Sequence, residues 1–189
     1  MSKKAYLTDI LNCAQRIGEI TKGLRSYSRI SKQAEQAPMD VNEVLESSLK
    51  MVRMGSKTSP IEVVKKLQRV EKIEASSGEI QQVFTNLIAN AFQAMNGTAG
   101  KLSLLTRQME DFVEIKVSDT GGGISEKNLK KIFDPFFTTK KQGEGTGLGL
   151  NIVYRIITKY EGTIDVESQE GVGTTFTVRF PSGKTEVRA

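Results

Sequence analysis

Histidine is absent from all 189 residues, and so is tryptophan; there is one cysteine, Cys13, and only four prolines. Without an imidazole the chain lacks the one side chain that ordinarily titrates near neutral pH. A single cysteine cannot close an internal disulfide, so a reducing, cytoplasmic compartment is the expectation. One cysteine and no histidine leave no ligand set for a structural zinc ion. No apolar run approaches the ~20 residues of a membrane span, and the N-terminus lacks the apolar core of a signal peptide. Membrane contact is therefore not expected from this chain, although a longer parent could still be membrane-bound. The net charge of +5 is scattered, without a dense basic run or interleaved aromatics. It suits a solvated surface or attraction of an anionic ligand better than nucleic-acid binding.

What is present, 38% hydrophobic and 26% charged residues, makes a soluble globular composition with room for one domain and an appendage. Residues 8–33 read as a long helix, because Ile10, Cys13, Ile17, Ile20, Leu24 and Tyr27 recur at alternating three- and four-residue steps. So narrow a seam needs a partner helix, as in a dimer or bundle. The polar stretch Lys32–Met39, with the helix-stopping Pro38, separates it from the rest. Asp40 with Glu43 resembles a capping box ahead of the helical stripe Val41, Leu45, Leu49 and Val52. Ile61–Val64 reads as a strand after a Ser59-Pro60 turn. A strong helix runs from about Glu79 to Met95, apolar at Ile80, Val83, Phe84, Leu87, Ile88 and Ala91. Leu102/Leu104 and Val113/Ile115/Val117 form a hairpin. Helix is expected over Ser125–Ile132 and Leu148–Tyr160, the latter with Gly162 in its C-terminal cap. Ile164/Val166 and Phe176/Val178/Phe180 close the sheet, and the tail after Pro181 is expected to fray. This order predicts an α+β sandwich with helices over one face of a mixed, mostly antiparallel sheet.

Four stretches carry candidate chemistry. Asn86 and Asn90 are four residues apart and share a helix face away from the apolar stripe; an amide oxygen is a hard ligand suited to Mg²⁺, although two surface amides would look the same. Asp119 ends an apolar strand and opens a Gly triplet. Its carboxylate is suited to an exocyclic amine, while Gly121 and Gly123 allow close backbone approach; an Asp in a tight turn is the plainer alternative. Gly145-Thr-Gly-Leu-Gly-Leu150 leads into a helix and presents backbone N–H groups to an anion, or serves as a hinge. It is neither a Walker A loop nor a dinucleotide fingerprint. Between the two Gly stretches, Phe133-Asp-Pro-Phe-Phe-Thr-Thr-Lys140 has the makings of a mobile lid, with Lys140 or Lys141 reaching a phosphate.

In this order and spacing the four stretches resemble the catalytic ATP-binding domain of the two-component sensor histidine kinases, within the GHKL (Bergerat-fold) superfamily. Residues 82–91 resemble its N box, Asp119–Ile124 the G1 box, Phe133–Lys140 the F box and Gly145–Leu150 the G2 box. The Phe-Phe-Thr-Thr-Lys form is similar to the nitrogen-regulatory subgroup. The resemblance implies ATP and Mg²⁺ as cofactors, with Asn90 on the metal and Asn86 assisting at the phosphates. It implies Asp119 on the adenine amino group, Thr174 supporting the base, and Gly121, Gly123 and Ile124 shaping the pocket. Phe133, Lys140, Gly145, Thr146, Gly147, Leu148 and Gly149 would form the lid and phosphate side. Many members carry a basic residue three positions after the second Asn, where this chain has Gln93.

The family transfers the γ-phosphoryl group to a histidine on the first helix of a dimerising hairpin, then to the receiver domain of a response regulator. The resemblance divides the chain into a partial dimerisation helix (1–36, the second helix only), a catalytic ATP-binding domain (37–183) and a frayed tail (184–189). It implies a homodimer through residues 8–33. Lacking histidine, the chain cannot phosphorylate itself on that residue. It is expected to be a truncated kinase, or one acting in trans on a His-bearing dimerisation segment. Two other classes compete. GHKL ATPases carry a general-base Glu where this chain has Asn86, and an amide cannot take a proton from water. A nucleotide-dependent binding module without transferase activity is the second.

Overall fold

A computed structural model describes residues 18, 35–55, 60–95, 99–140 and 145–182. The expected helix over 8–33 and its dimer seam, Gly18 apart, lie outside these, as does the tail 184–189. The described elements are β1 (Ala37–Met39), α1 (Val41–Gly55), β2 (Ile61–Leu67), β3 (Ile73–Ala75), α2 (Ser77–Ala94), β4 (Gly100–Gln108), β5 (Phe112–Asp119), α3 (Glu126–Leu129), α4 (Gly149–Lys159), β6 (Thr163–Gln169) and β7 (Gly173–Pro181).

Alternation sets the two faces of the main sheet, whose strand order is β2-β4-β5-β7-β6. The β2–β4 pair is parallel and the other three are antiparallel. Leu102, Leu104, Val113, Ile115, Val117, Phe176, Val178 and Phe180 point inward and are buried. The apolar stripes of α1, α2 and α4 cover them, with Leu45, Phe84, Leu87, Ile88, Ile156 and Ile157 all buried. The α+β sandwich read from the sequence is the observed fold, with both expected hairpins in register. Asp40 caps α1, its Oδ1 accepting from Asn42 N–H at 2.8 Å, one of the four otherwise orphaned N–H groups of a helix start. Asn42 also accepts from the buried Thr106 hydroxyl at 2.8 Å, tying that cap to the sheet.

Two expectations change. The stretch Lys32–Met39 was expected to be a connecting segment, but Ala37–Met39 is a strand paired antiparallel with β3, itself too short to stand out as a periodic run. In the Ser125–Ile132 stretch, only Glu126–Leu129 is α-helical. Beyond it, Lys131 N–H bonds Asn128 O, Asp134 bonds Lys131 and Phe137 bonds Asp134. These are tight turns in series, and Pro135 keeps Asp134 from continuing a helix. At the end of α4 Gly162 lies in the cap as expected, one residue beyond the left-handed Glu161, φ 55°. Gly162 N–H bonds Ile157 O at 3.0 Å and Glu161 N–H bonds Thr158 O at 3.1 Å, the two bonds of a Schellman cap. Gly162 is required for another reason: a Cβ there would lie 2.6 Å from the Arg179 carbonyl oxygen.

Glu114 lies on the outer sheet face yet is only 2% exposed, because basic side chains close over it. Arg107 Nη2 is 2.8 Å from Oε1 and Arg179 Nε is 3.0 Å from Oε2. Arg179 reaches on to Asp165 and lies over the Phe112 ring. Removing the acid leaves clustered cations without their counter-charge. Glu114→Ala is therefore expected to cost about 3 kcal/mol of stability in denaturant unfolding, with nucleotide affinity unchanged. A cost below about 0.5 kcal/mol would mean that the cluster is no more than a surface network.

Candidate nucleotide site

The strand ends organise one side of the site. Register places Leu102 opposite Asp119, Asp119 opposite Thr174, and Thr174 opposite Ser168. All four side chains belong to the inward set, so three polar groups continue the inner row where the apolar core stops. Asp119 Oδ1 accepts from Gly121 N–H at 2.8 Å. Burial raises the Asp119 carboxyl above the ordinary Asp range, opposed by N–H donation from Gly121 and Thr174.

The turn after Asp119 is bonded on every side. Thr120 N–H reaches Lys101 O, Gly122 N–H reaches Ala94 O at the end of α2, and Gly122 O accepts from Gly171 N–H at 2.8 Å. Ile124 N–H donates to Ser168 Oγ at 2.8 Å. The glycines are required by this crowding. A Cβ on Gly121 would lie 2.6 Å from the Ala94 backbone, and one on Gly123 would lie 2.1 Å from Gln169 O, with φ +69° as well.

The opposite side is built on α2 and the start of α4. Asn86 Nδ2 donates to Gly149 O at 3.2 Å, fixing which way that amide points. Asn90 lies one turn further along α2, half-buried like Asn86. Gly147, φ +66°, packs against the Phe136 backbone, which is itself left-handed at φ 66°. Leu148 is buried in the core, and its N–H reaches Thr146 Oγ1 at 3.4 Å. Gly145 approaches the Thr138 hydroxyl. The Lys140 ammonium donates to Gln93 Oε1, so a cation sits at the position where Gln93 itself supplies none.

Not every expected residue joins this set. Phe133 packs at a tilt against Tyr154, ring centroids 5.6 Å apart, and its carbonyl accepts from Asn151 Nδ2 at 2.8 Å; both contacts tie the segment to α4. Residues 141–144, between the F and G2 boxes, lie outside the described residues. Ser168 was missed from the sequence, although alternation with Ile164 and Val166 signals a polar residue on an inward face. Among the described residues no cluster of three His, Cys, Asp or Glu side chains can hold a metal. Any divalent ion here would rest on amide oxygens and on its ligand's own phosphates. Mg²⁺ accepts that arrangement, since it binds through few protein oxygens and keeps several waters.

Residues 75–184 match the family described as Histidine kinase-, DNA gyrase B-, and HSP90-like ATPase, and the chain belongs to that family. It is 37% identical over 169 residues to Sensor histidine kinase ZraS of Escherichia coli K12, an alignment that covers 89% of this chain and 36% of that protein. The catalytic domain of histidine kinase ThkA superposes with a TM-score of 0.69 at 32% identity, covering 78% of this chain and 98% of that one. Histidine kinase ThkA in complex with the response regulator protein TrrA gives 0.75 at 29% identity, covering 95% of this chain and 51% of that one. Within the family, the chain is the ATP-binding catalytic portion of a sensor histidine kinase. No helix among the described residues is long and apolar enough to cross a membrane.

Proposed function

We propose that this chain binds Mg-ATP between the Asp119 turn and the α2–α4 flank, and transfers the γ-phosphoryl group to a histidine supplied by another segment. The observation that carries this reading is the polar end of the inner sheet row, Asp119 with Thr174, facing the same helix layer whose Asn86 is bonded to the G2-box residue Gly149. Asp119 accepts from the base amine. Asn90 and Asn86 lie at the phosphates, and Lys140, positioned by Gln93, adds positive charge there. Mg²⁺, when bound at Asn90, supplies charge neutralisation to the phosphate oxygens. The protein's share is positioning and electrostatic stabilisation, which is what phosphoryl transfer chiefly requires. No carboxylate occupies the Asn86 position to activate water, which favours transfer over hydrolysis.

The ThkA–TrrA complex supports a response-regulator receiver domain as the onward acceptor. The 8–33 seam supports a homodimer, and a reducing, cytoplasmic setting accompanies both. The domain division 1–36, 37–183 and 184–189 is part of the same reading.

The fate of the γ-phosphate tests it. With labelled Mg-ATP and a His-bearing first-helix segment of a related kinase, label is expected on the segment. Asn90→Ala should lower that transfer by at least about 100-fold. Free phosphate released without an acceptor, and lost in Asn90→Ala, would instead establish an ATPase.

A further inference from the structure

Ser168 sits at the crossing of three contacts. It accepts from Ile124 N–H at 2.8 Å, bonds the Gly173 carbonyl at 2.9 Å and lies 2.9 Å from Thr174 Oγ1. A hydroxyl has one proton, a carbonyl oxygen only accepts, and a backbone N–H only donates. The Ser168 proton is therefore spent on Gly173 O, and in the Ser168–Thr174 contact the donor is Thr174. The Thr174 proton is consumed in turn, which leaves its oxygen with lone pairs alone. Thr174 is 5% exposed and directly opposite Asp119 in the register, so the base end of the site carries two acceptors side by side.

We infer that Ser168 is a positioning residue that locks the Thr174 hydroxyl as an acceptor, so that Asp119 and Thr174 together recognise an exocyclic amino group through both of its N–H bonds, directly or across a water. This rests on the reading of Asp119 as the base contact. A base without the amine leaves two buried acceptors unpaired, the arrangement that discriminates most strongly between near-identical ligands. In Ser168→Ala the Thr174 hydroxyl is free to turn its proton toward the ligand, and half of the recognition is lost.

The discriminating probe is ATP against the triphosphate of purine riboside, which carries hydrogen in place of the amine and keeps the rest of the base. Affinities of the whole chain are measured for both by titration calorimetry. Ser168→Ala is expected to lower the ATP preference by about tenfold, the worth of one hydrogen bond to a committed acceptor. Thr174→Val should lower it equally and Thr174→Ser should retain it. The double variant Ser168→Ala/Thr174→Val should lose no more than Thr174→Val alone, because both act through one hydroxyl. A general loosening of the fold would weaken both nucleotides alike and leave the ratio intact. An unchanged ratio in Ser168→Ala or in Thr174→Val, or additive losses in the double variant, overturns the assignment. Asp119→Asn separates the two levels: if it leaves ATP affinity unchanged, the underlying base reading fails, whereas if it weakens ATP while Ser168→Ala holds the ratio, only the role of Ser168 fails.

Discussion

Asp119→Asn is expected to weaken ATP binding by about 100-fold, the worth of a hydrogen bond to a charged acceptor in a half-buried site. The substitution is nearly isosteric and keeps an oxygen for the Gly121 N–H. What it removes is the charge, and it places an NH₂ where the proposed function docks an amine. The same carboxyl predicts a pH dependence. Burial holds its pKa above the usual Asp range, against the pull of the Gly121 and Thr174 N–H groups. Binding needs the ionised form, so affinity should fall with decreasing pH through that raised value, at less acid pH than the ordinary Asp figure of about 3.9. Folding responds with the opposite sign. A carboxyl more readily protonated in the folded state adds stability below its unfolded pKa and loses it as pH rises through the folded one. Calorimetric titration across this window, with thermal melts alongside, should show both trends in the parent chain and neither in Asp119→Asn. A variant with parental affinity and a parental pH profile would remove Asp119 from the site.

Gly173→Ala is expected to be among the most damaging single-methyl additions, costing about 3 kcal/mol or more. The position combines φ +144° with a would-be Cβ only 2.0 Å from the Asp119 carbonyl oxygen. That oxygen is backbone of β5, so the chain must part β5 from β7 at the Asp119–Thr174 end. Gly171, two residues away in the same turn, has φ +79° and nothing within 4 Å of its would-be Cβ. Gly171→Ala therefore carries only the backbone term, about 1–2 kcal/mol. Guanidinium unfolding of the two variants separates crowding from conformation. Equal losses would show that the close approach at Gly173 contributes nothing.

Periodicity made most of the fold legible. The alternation at Val113/Ile115/Val117 and Phe176/Val178/Phe180 and the stripe from Ile80 to Ala91 each follow from one segment's own burial, which a sequence displays directly. Features that depend on a distant partner did not show. Glu114 reads as an outward residue and becomes buried only because Arg107 and Arg179 arrive from neighbouring strands. Gly162 was legible as part of the α4 cap; that Glu161 takes its left-handed turn, and that Gly162 packs against the Arg179 carbonyl, were not. In the site, the Gly121 and Gly123 positions were legible as close approaches, but the approaching atoms are the protein's own, Ala94 and Gln169. The basic residue missing at Gln93 was read correctly as missing, yet its charge returns through Lys140 from 47 residues downstream, which no local spacing reveals.

The helices α2 and α4 are fastened together twice. Asn86 holds Gly149 at the near end, and at the far end Glu79 takes Lys159 at 2.8 Å and the Tyr160 hydroxyl. While both fastenings hold, the 11-residue helix cannot slide along its neighbour; with the single Asn86–Gly149 bond broken, the Glu79 clasp leaves it only a tilt about the far end. Over an axis of about 16 Å, a 1 Å displacement of Gly149 corresponds to a rotation of about 3–4°. The Glu79 clasp is then the fulcrum, and any displacement of Gly149 would be read out as a change of angle between α2 and α4.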